Sequence, residues 1–276
     1  MTGRTGTPFV KMHGAGNDFV MFLARDLPSP SLRTETIVRL CHRRLGIGAD
    51  GVIILETGEP DVDFRMHYFN SDGHEAEMCG NGARCSFALA HAVGLVGDRG
   101  TFASAAGRHQ GRMTSEGDVE VQLTSWSGLE TSLDLTDLPW ADSGFCNTGV
   151  PHVVVLLPDR NSLEEIDIMR WGPVLRRHPR FGSSGSNVNW AAVDAESGKV
   201  HLRTFERGVE AETLACGTGA SAAAVILCGR GLVSSPVRVR TRGGDELVVR
   251  VDPDRKELFL QGPAVESFKG EVNLDE

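Results

Sequence analysis

Two cysteines stand in closely similar settings, each directly before a glycine-rich turn and an apolar segment. Cys79 is followed by Gly-Asn-Gly-Ala and the apolar run 87–93, and Cys216 by Gly-Thr-Gly-Ala and the apolar run 221–228. This arrangement predicts a thiol at the N-terminus of a buried helix, where backbone N–H groups are available to bind an anion. A helix N-terminus also lowers a thiol pKa from about 8.5 toward neutrality, so both thiol and thiolate are accessible near neutral pH.

Two thiols of this kind suit proton exchange at a single carbon. If a carboxylate is bound by both helix N-termini, one thiolate can remove the hydrogen from the adjacent carbon while the other thiol protonates the opposite face. The same N–H groups stabilise the charge that develops as the carbanion forms. Cys79 and Cys216 together therefore predict two-base racemisation or epimerisation without a cofactor. None of the four lysines stands in a setting typical of a pyridoxal phosphate Schiff base.

Other interpretations account for a single cysteine but not for the matched pair. A single cysteine in a glycine-rich turn is usually a small packed residue. A Cys–His hydrolase uses one nucleophilic thiol and leaves the duplicate cysteine unexplained. The six cysteines form no CxxC pair and show no zinc-type spacing, so no metal site is predicted. The cysteines predicted to be buried packing residues are Cys41, Cys85, Cys146 and Cys228.

An internal repeat supports the pairing of the two cysteines. When the chain is shifted by 137 residues, Cys216 lies on Cys79, and glycines and apolar residues coincide without a gap from Tyr68 to Gly107. Identities that continue through a strand end, a turn, a helix and the next strand indicate a duplication. The predicted fold is α+β, with two pseudo-symmetric halves, each a mostly antiparallel or mixed sheet wrapped around a central helix. With a pseudo-two-fold axis, the two helix starts can face each other.

The predicted domains follow from this duplication. The half that carries Cys79 is expected at 1–124, completed by 266–276, and the half that carries Cys216 at 125–265. Helices are expected at 34–45, 80–94, 162–176 and 221–228, with Ser162 as the N-cap of the third. Strands are expected at 9–12, 19–23, 52–55, 63–70, 101–104, 108–114, 119–123, 187–193 and 200–205, and after a turn within 146–157. The Trp-, Gly- and Pro-punctuated region 125–140 is expected to join the halves.

The composition is typical of a globular protein that does not bind nucleic acid or membranes. The 276 residues carry a formal net charge of −9, whereas binding to phosphate backbones needs clustered lysine and arginine. No segment approaches the length of a membrane span, and no apolar signal core stands at the N-terminus. Without an export signal, we expect a reducing cytoplasm and free thiols.

The motifs around the cysteines resemble those of the diaminopimelate epimerase family, in the same order from Phe9 to Phe268. Phenazine-biosynthesis isomerases have a related fold but lack the two cysteines, and proline racemases have paired cysteines without these flanking motifs, so the resemblance is specific. The motifs that carry it are 11–19, 69–73, 79–85, 151–152, 187–189, 206–208 and 215–220.

The resemblance implies conversion of LL-2,6-diaminopimelate, a small amino-acid substrate, to its meso form, in lysine and peptidoglycan precursor synthesis. Cys79 and Cys216 would be the acid/base pair. The backbone N–H groups that would bind the reacting carboxylate are those of Gly80, Asn81, Gly217 and Thr218. The residues implied to hold the rest of the substrate are Asn17, Asn70, Asn189 and Arg207, the last with a bidentate contact to the distal carboxylate. Glu206 would bind the reacting amino group and, with His152, set the thiol pKa values. A homodimer is also implied.

Two positions depart from the forms that the family resemblance predicts. Gly51 stands where some members carry Gln, and Val150 where some carry Asn. Each departure removes a polar contact to the non-reacting end of the substrate, so it bears on substrate identity rather than on chemistry. A racemase of the same fold acting on another amino acid, such as histidine, is the alternative enzyme. A catalytically silent amino-acid-binding protein is the non-enzymatic alternative, although binding a carboxylate requires no sulfur.

Overall fold

A computed structural model describes residues 6–29, 32–135, 138–140 and 142–274. The strands are β1 (Thr7–Gly14), β2 (Asn17–Leu23), β3 (Gly51–Glu56), β4 (Phe64–Asn70), β5 (Arg99–Ser104), β6 (Gly107–Met113), β7 (Val119–Leu123), β8 (Ser127–Glu130), β9 (Ser143–Asn147), β10 (Pro151–Leu156), β11 (Asn187–Val193), β12 (Val200–Glu206), β13 (Ala211–Thr213), β14 (Val237–Arg240), β15 (Glu246–Asp252), β16 (Glu257–Gly262) and β17 (Val265–Val272). The helices are α1 (Thr34–Cys41), α2 (Gly80–Ala92), α3 (Arg160–Glu165), α4 (Ile168–Arg176) and α5 (Gly217–Gly229).

The first compact unit consists of two segments, the chain up to Val121 and the chain from Pro263 onward. Its strands form a mixed sheet in the order β17-β1-β2-β3-β4-β5-β6-β7. The pairs β2–β3 and β4–β5 are parallel, and the other neighbours are antiparallel. Helix α2 packs against β1, β2, β3, β4 and β6, and most of its residues are buried. This sheet therefore wraps around one central helix.

The second compact unit, Gln122–Gly262, repeats this arrangement. Its strand order is β8-β9-β10-β11-β12-β14-β15-β16, and the short strand β13 also pairs with β12. The parallel pairs, β10–β11 and β12–β14, occupy the same places in the order as those of the first unit. Because each unit wraps the same sequence of strands around one helix, the predicted α+β fold with two similar halves is confirmed.

The two central helices keep the register of the sequence repeat. Both α2 and α5 have 13 residues, and each starts at the glycine that follows a cysteine. Helix α5 is apolar around its whole circumference, and every residue from Gly219 to Leu227 is buried, as the sequence predicted. The alternation in β4 is confirmed as well, since Phe64, Met66 and Tyr68 are buried between less buried neighbours.

The helix expected at 221–228 begins earlier, at Gly217, and two further predicted helices are wrong in their bounds. The helix expected at 34–45 ends at Cys41, because the His42 ring accepts hydrogen bonds from the N–H groups of Arg44 and Leu45 in a turn. The helix expected at 162–176 is two helices, α3 and α4. Asp159 caps the first by accepting a hydrogen bond from the Ser162 N–H at 2.8 Å, so Ser162 is not an N-cap. Asp167 caps the second in the same way through the Arg170 N–H.

Other differences concern the segment between the halves and two cysteines. Region 125–140 contains a strand, β8, which was not predicted, and Cys146 lies within β9 rather than in a turn. Cys41, Cys85 and Cys146 are buried as expected, whereas Cys228 is only half-buried. Residues 1–5 and 275–276, which the domain prediction includes, lie outside the described residues.

Gly51 is a position where the packing excludes a side chain. A Cβ atom there would lie 2.5 Å from the carbonyl oxygen of Phe69 and 2.7 Å from the Tyr68 ring. Gly51→Ala is therefore expected to lower the free energy of unfolding by about 1–3 kcal/mol through overpacking, measured by urea denaturation. The matched control is Gly97→Ala, whose nearest neighbour would be 3.9 Å away, and which is expected to change stability by less than about 0.5 kcal/mol. Equal midpoints for both variants would contradict the packing at Gly51.

Candidate active site

Cys79 occupies the N-cap position of α2, with an extended backbone (φ −135°, ψ 116°). Its sulfur accepts a hydrogen bond from the N–H of Gly82 at 3.4 Å. The first helical hydrogen bond of α2 runs from Ala83 to the Cys79 carbonyl. The N–H groups of Gly80 and Asn81 precede it, where helix geometry supplies no carbonyl partner. This end of α2 therefore combines a thiol with backbone donors suited to an anion.

Two amide side chains lie next to the Cys79 sulfur. The Asn17 side-chain oxygen is 3.6 Å from the sulfur and also accepts a hydrogen bond from the Asn81 side-chain nitrogen at 3.2 Å. The Asn17 nitrogen donates to Asp50 at 2.7 Å. At the other end, the Asn81 oxygen accepts from the fully buried guanidinium of Arg84 at 3.0 Å. A directed row of hydrogen bonds thus runs from Arg84 through both amides to Asp50.

A cluster of charged side chains lies at the Asp50 end of this row of hydrogen bonds. Arg43 donates to both Asp18 and Asp50 at 2.8 Å, and buried Lys11 makes an ion pair with Asp18. Burial alone would raise the pKa of the Asp18 carboxyl, but hydrogen bonds from Arg43 and Lys11 and their positive charges hold it below its usual value. The backbone N–H of Asp18 also donates a hydrogen bond to the Asp50 carboxylate, and the backbone N–H of Asp50 donates to the Asp18 carboxylate. Asp50 is therefore held in place as the acceptor for Asn17.

Cys216 occupies the corresponding N-cap position of α5 and is only 7% exposed. Its sulfur lies 3.5 Å from the hydroxyl of Thr218, and this hydroxyl lies 3.0 Å from Nε2 of His152. The first helical hydrogen bond of α5 runs from Ala220 to the Cys216 carbonyl, so the N–H groups of Gly217 and Thr218 precede it. The second thiol thus has its own backbone donors and a histidine connected to it through one hydroxyl.

His152 is completely buried and is held by Asn189. The Asn189 nitrogen contacts Nδ1 of His152 at 3.1 Å and donates to the Val153 carbonyl at 3.0 Å, while its oxygen accepts from Thr204 at 2.9 Å. A Cβ at Gly219 would lie 2.3 Å from the Asn189 oxygen, so only glycine lets the helix approach this closely. Burial lowers the pKa of His152 to about 3, and the positive charge of Arg207 adds to the shift.

Glu206 and Arg207 stand at the end of β12 and directly after it. Oε1 of Glu206 accepts a hydrogen bond from Thr213 at 2.5 Å, and the backbone N–H of Arg207 donates to the Asn187 side chain at 2.8 Å. Asn187 was not among the predicted site residues, although it lies in the motif that contains Asn189. Its contact ties the start of β11 to the residues that follow β12.

Most of the predicted site residues fall into two connected groups, one in each unit. The first group contains Cys79, Gly80, Asn81 and Asn17, and the second contains Cys216, Gly217, Thr218, His152 and Asn189. Asn70 is exposed at the end of β4, where its oxygen accepts a hydrogen bond from Tyr68 at 2.8 Å, and this bond does not join it to the first group. The supporting residues that the sequence prediction missed are Lys11, Asp18, Arg43, Asp50, Arg84, Asn187 and Thr204.

The other four cysteines are in settings that keep the thiol protonated. Burial raises the pKa of Cys41, Cys85 and Cys146 to about 12, and also raises that of Cys228. Within the described residues, no cluster of three or more His, Cys, Asp or Glu side chains could hold a metal ion. None of the helices in the described ranges is long and apolar enough to cross a membrane.

The buried His152 predicts a specific loss of stability in acid. Because its pKa is about 3 in the folded state and about 6.5 unfolded, the unfolded chain binds a proton below pH 6.5 that the folded chain does not. As the pH falls from about 6 to about 4.5, His152 should therefore lower the free energy of unfolding by about 2 kcal/mol. His152→Gln should show a shallower pH dependence in urea denaturation. His74→Gln, at an exposed position, should parallel the wild type, and equal slopes for all three proteins would contradict the prediction.

Comparison with solved structures identifies the fold. A probable proline racemase from Agrobacterium radiobacter K84, solved with bound carbonate, superposes with a TM-score of 0.72. The alignment covers 97% of this chain and 93% of that chain at 18% sequence identity. The chain therefore has the two-half fold also found in proline racemases, here with a cysteine at the start of the central helix of each half.

Sequence comparison identifies the family within this fold. The family model for diaminopimelate epimerase matches residues 9–127 and 144–266. A diaminopimelate epimerase from Aquifex aeolicus is 40% identical over 275 residues, covering 96% of this chain and 97% of the relative. One from Chlorobaculum tepidum is 38% identical, covering 95% of this chain and 100% of the relative. The chain belongs to the diaminopimelate epimerase family, and it is an isomerase.

Proposed function

We propose that this chain converts LL-2,6-diaminopimelate to meso-diaminopimelate without a cofactor, for lysine and peptidoglycan precursor synthesis. The observation that carries the proposal is the matched position of two cysteines. Each is the N-cap of the 13-residue central helix of its half, and each is followed by backbone N–H groups, among them those of the next two residues, that precede the first helical hydrogen bond. Family membership supports the substrate, because the relatives are named for diaminopimelate.

The proposed reaction is a proton transfer on each side of one carbon. One cysteine thiolate takes the α-proton as the C–H bond breaks, and the other cysteine donates its thiol proton as a new C–H bond forms on the opposite face. The protein then holds one thiol and one thiolate with their roles exchanged, so no oxidant or reductant is consumed. The N–H groups of Gly80, Asn81, Gly217 and Thr218 would bind the carboxylate and stabilise the charge that develops on it.

The remaining site residues are proposed to bind the substrate. Asn17, Asn70, Asn189 and Arg207 would hold the rest of the substrate, with Arg207 forming a bidentate contact to the distal carboxylate. Glu206 would bind the reacting amino group. His152 would help Glu206 to set the pKa values of the two thiols. Because His152 is buried and its pKa is about 3, it would do so as a neutral imidazole.

The experiment that tests this function is α-hydrogen exchange in heavy water. The enzyme is incubated with LL-diaminopimelate in reducing buffer, deuterium incorporation is followed by NMR, and the meso product is quantified by chiral chromatography. We expect exchange and inversion together. The absence of both exchange and inversion would contradict the function and would favour the silent binding protein. Inversion of histidine, but not of diaminopimelate, in a parallel incubation would favour the alternative racemase.

We also propose that the enzyme is a cytoplasmic homodimer. The reduced state that its chemistry requires agrees with six free cysteines. On β17, Val265 and Phe268 are 42% and 48% exposed, which is a large apolar exposure for one strand and suits a contact with a second copy. Light scattering after size exclusion tests the dimer, and a Phe268→Glu variant should shift it toward monomer.

We further propose that the halves, 1–124 completed by 266–276 and 125–265, arose by duplication.

A further inference from the structure

Gly51, Tyr68 and Asn70 lie together on one face of the paired strands β3 and β4. Gly51 is the cross-strand partner of Asn70, and Tyr68 stands two residues before Asn70, on the same side of β4. A Cβ atom on Gly51 would lie 2.7 Å from Cε2 of Tyr68, so the Tyr68 ring occupies the space that a side chain at position 51 would need. The Tyr68 hydroxyl donates a hydrogen bond to the Asn70 side-chain oxygen at 2.8 Å. The absence of a side chain at Gly51 thus lets the ring lie where its hydroxyl reaches Asn70.

This group of residues lies beside the start of α2. Tyr68 is only 8% exposed, and its ring meets that of Phe19 edge to face, with the ring centroids 5.8 Å apart. The Phe19 ring in turn lies against the first turn of α2, since its Cζ is 3.5 Å from the position of a Cβ on Gly82. The Tyr68 carbonyl accepts a hydrogen bond from the N–H of Ala76, in the loop that leads to Cys79. Packing against Phe19 needs only an aromatic ring, so it does not account for the hydroxyl.

The Tyr68 hydroxyl sets the direction of an exposed amide. The backbone of Asn70 is already held, because its N–H donates to the His74 carbonyl and its own carbonyl accepts from Gly73, both at 2.9 Å. The side-chain amide on this backbone can present either its oxygen or its nitrogen outward. Because a phenol is a stronger hydrogen-bond donor than acceptor, Tyr68 binds the oxygen, and the amide nitrogen with its two N–H groups points away from the phenol. Asn70 therefore offers donors to a ligand.

Two N–H donors discriminate between the polar groups of the proposed substrate. The non-reacting end of diaminopimelate carries a carboxylate, which only accepts hydrogen bonds, and an ammonium group, which only donates them. The Asn70 nitrogen can therefore bind the carboxylate but not the ammonium group. Gly51 lacks the polar side chain that some family members carry at this position for the same end of the substrate. Tyr68 compensates for that loss from the neighbouring strand.

We propose that Tyr68 is a positioning residue for the non-reacting carboxylate of the substrate, that it acts through the Asn70 amide, and that glycine at position 51 permits this role. The assignment rests on the proposed function, because that function supplies the substrate. Positions 51 and 68 are thereby coupled. A chain with a larger side chain at position 51 could not hold the tyrosine ring in this place.

The first test is the effect of Tyr68→Phe on the kinetics of inversion. Phenylalanine keeps the ring and its packing but removes the hydroxyl, so the Asn70 amide is free to turn. KM for LL-diaminopimelate should rise about three- to tenfold, which corresponds to one net hydrogen bond, while kcat stays within about a factor of two. The control, Thr101→Val, removes a hydroxyl that bonds to Asp63, directly before the start of β4, and should leave both constants unchanged. An unchanged KM in Tyr68→Phe would refute the positioning role.

A double-variant cycle separates positioning from packing. Asn70→Ala alone should raise KM at least as much as Tyr68→Phe. When Tyr68→Phe is added to Asn70→Ala, KM should not rise further, because the group through which the hydroxyl acts is already absent. If Tyr68→Phe had the same effect with and without Asn70, the hydroxyl would act on something else and the proposal would be overturned.

A second readout needs no turnover, because Tyr68 is the only tyrosine in the chain. Protein labelled with carbon-13 at tyrosine Cζ gives a single NMR signal from that carbon. Titration with LL-diaminopimelate should shift this signal to saturation in the wild type, and the shift should be lost in Asn70→Ala. Absence of the shift in the wild type would refute the role of Tyr68, whether or not inversion occurs. Failure of the heavy-water assay with the shift present would refute the proposed reaction alone.

Discussion

Cys79→Ala and Cys216→Ala are each expected to lower the rate of diaminopimelate inversion by a factor of about 10³ or more. General acid–base catalysis contributes about 10²–10⁴, and inversion requires both a base on one face and an acid on the other. Because the two thiols act as a unit, the double variant should be no slower than either single variant. The measurement is the formation of meso product by chiral chromatography under reducing conditions, with saturating substrate.

Each variant has a control on its own helix. Cys85→Ala lies on α2 with Cys79, and Cys228→Ala lies on α5 with Cys216. Burial raises the pKa of both control thiols, so neither is expected to ionise or take part in proton transfer. The control variants should keep inversion rates within about a factor of two to three of wild type. If Cys79→Ala or Cys216→Ala retained a tenth of the wild-type rate, two-base catalysis would be disproved.

Arg84→Met is expected to lower the free energy of unfolding by about 3 kcal/mol. The guanidinium is fully buried and donates to the Asn81 side chain and to the carbonyls of Gly80 and Pro263. Methionine fills a similar volume but leaves these acceptors without that donor, at a cost of about 1–3 kcal/mol for each buried group left unsatisfied, partly offset because the buried charge is also removed. Urea denaturation measures the effect.

The control for Arg84 is an exposed arginine. Arg44→Met lies in the turn after α1 and is expected to change stability by less than about 0.5 kcal/mol. Arg84→Lys keeps the charge but loses the planar fork, so it should fall between wild type and Arg84→Met. An Arg84→Met protein with the denaturation midpoint of Arg44→Met would show that the buried donor is dispensable.

The two cysteine sites were predictable because their signals are local. A cysteine, a glycine-rich turn and an apolar run specify an N-cap and a buried helix within about fifteen residues, and the repeat at 137 residues linked the two copies. The apolar environment of α5 followed from its sequence for the same reason. Family motifs then pointed to His152 and Asn189, whose connection to Cys216 through Thr218 is visible only in the structure.

The supporting residues were missed because their partners are distant in sequence. Asp50 bonds to Asn17 across 33 positions, and Arg84 contacts Pro263 across 179. One signal was present, since Arg84 is a charged residue in a helix that had to be buried, and such a residue needs acceptors. The error at 162–176 had a different cause. Apolar spacing continues through both helices, and only the capping carboxylates of Asp159 and Asp167 show where each begins.

The position of β17 affects the order in which the two similar halves can fold during synthesis. β17 comes from the end of the chain and pairs with β1 at its beginning, whereas the second unit is one continuous segment, Gln122–Gly262. When residue 262 has left the ribosome, every strand of the second unit exists, but the sheet of the first unit still lacks its edge partner for β1. The half translated first is therefore the half completed last. Until then β1 exposes an unpaired edge in the nascent chain, which is a site for association with other chains.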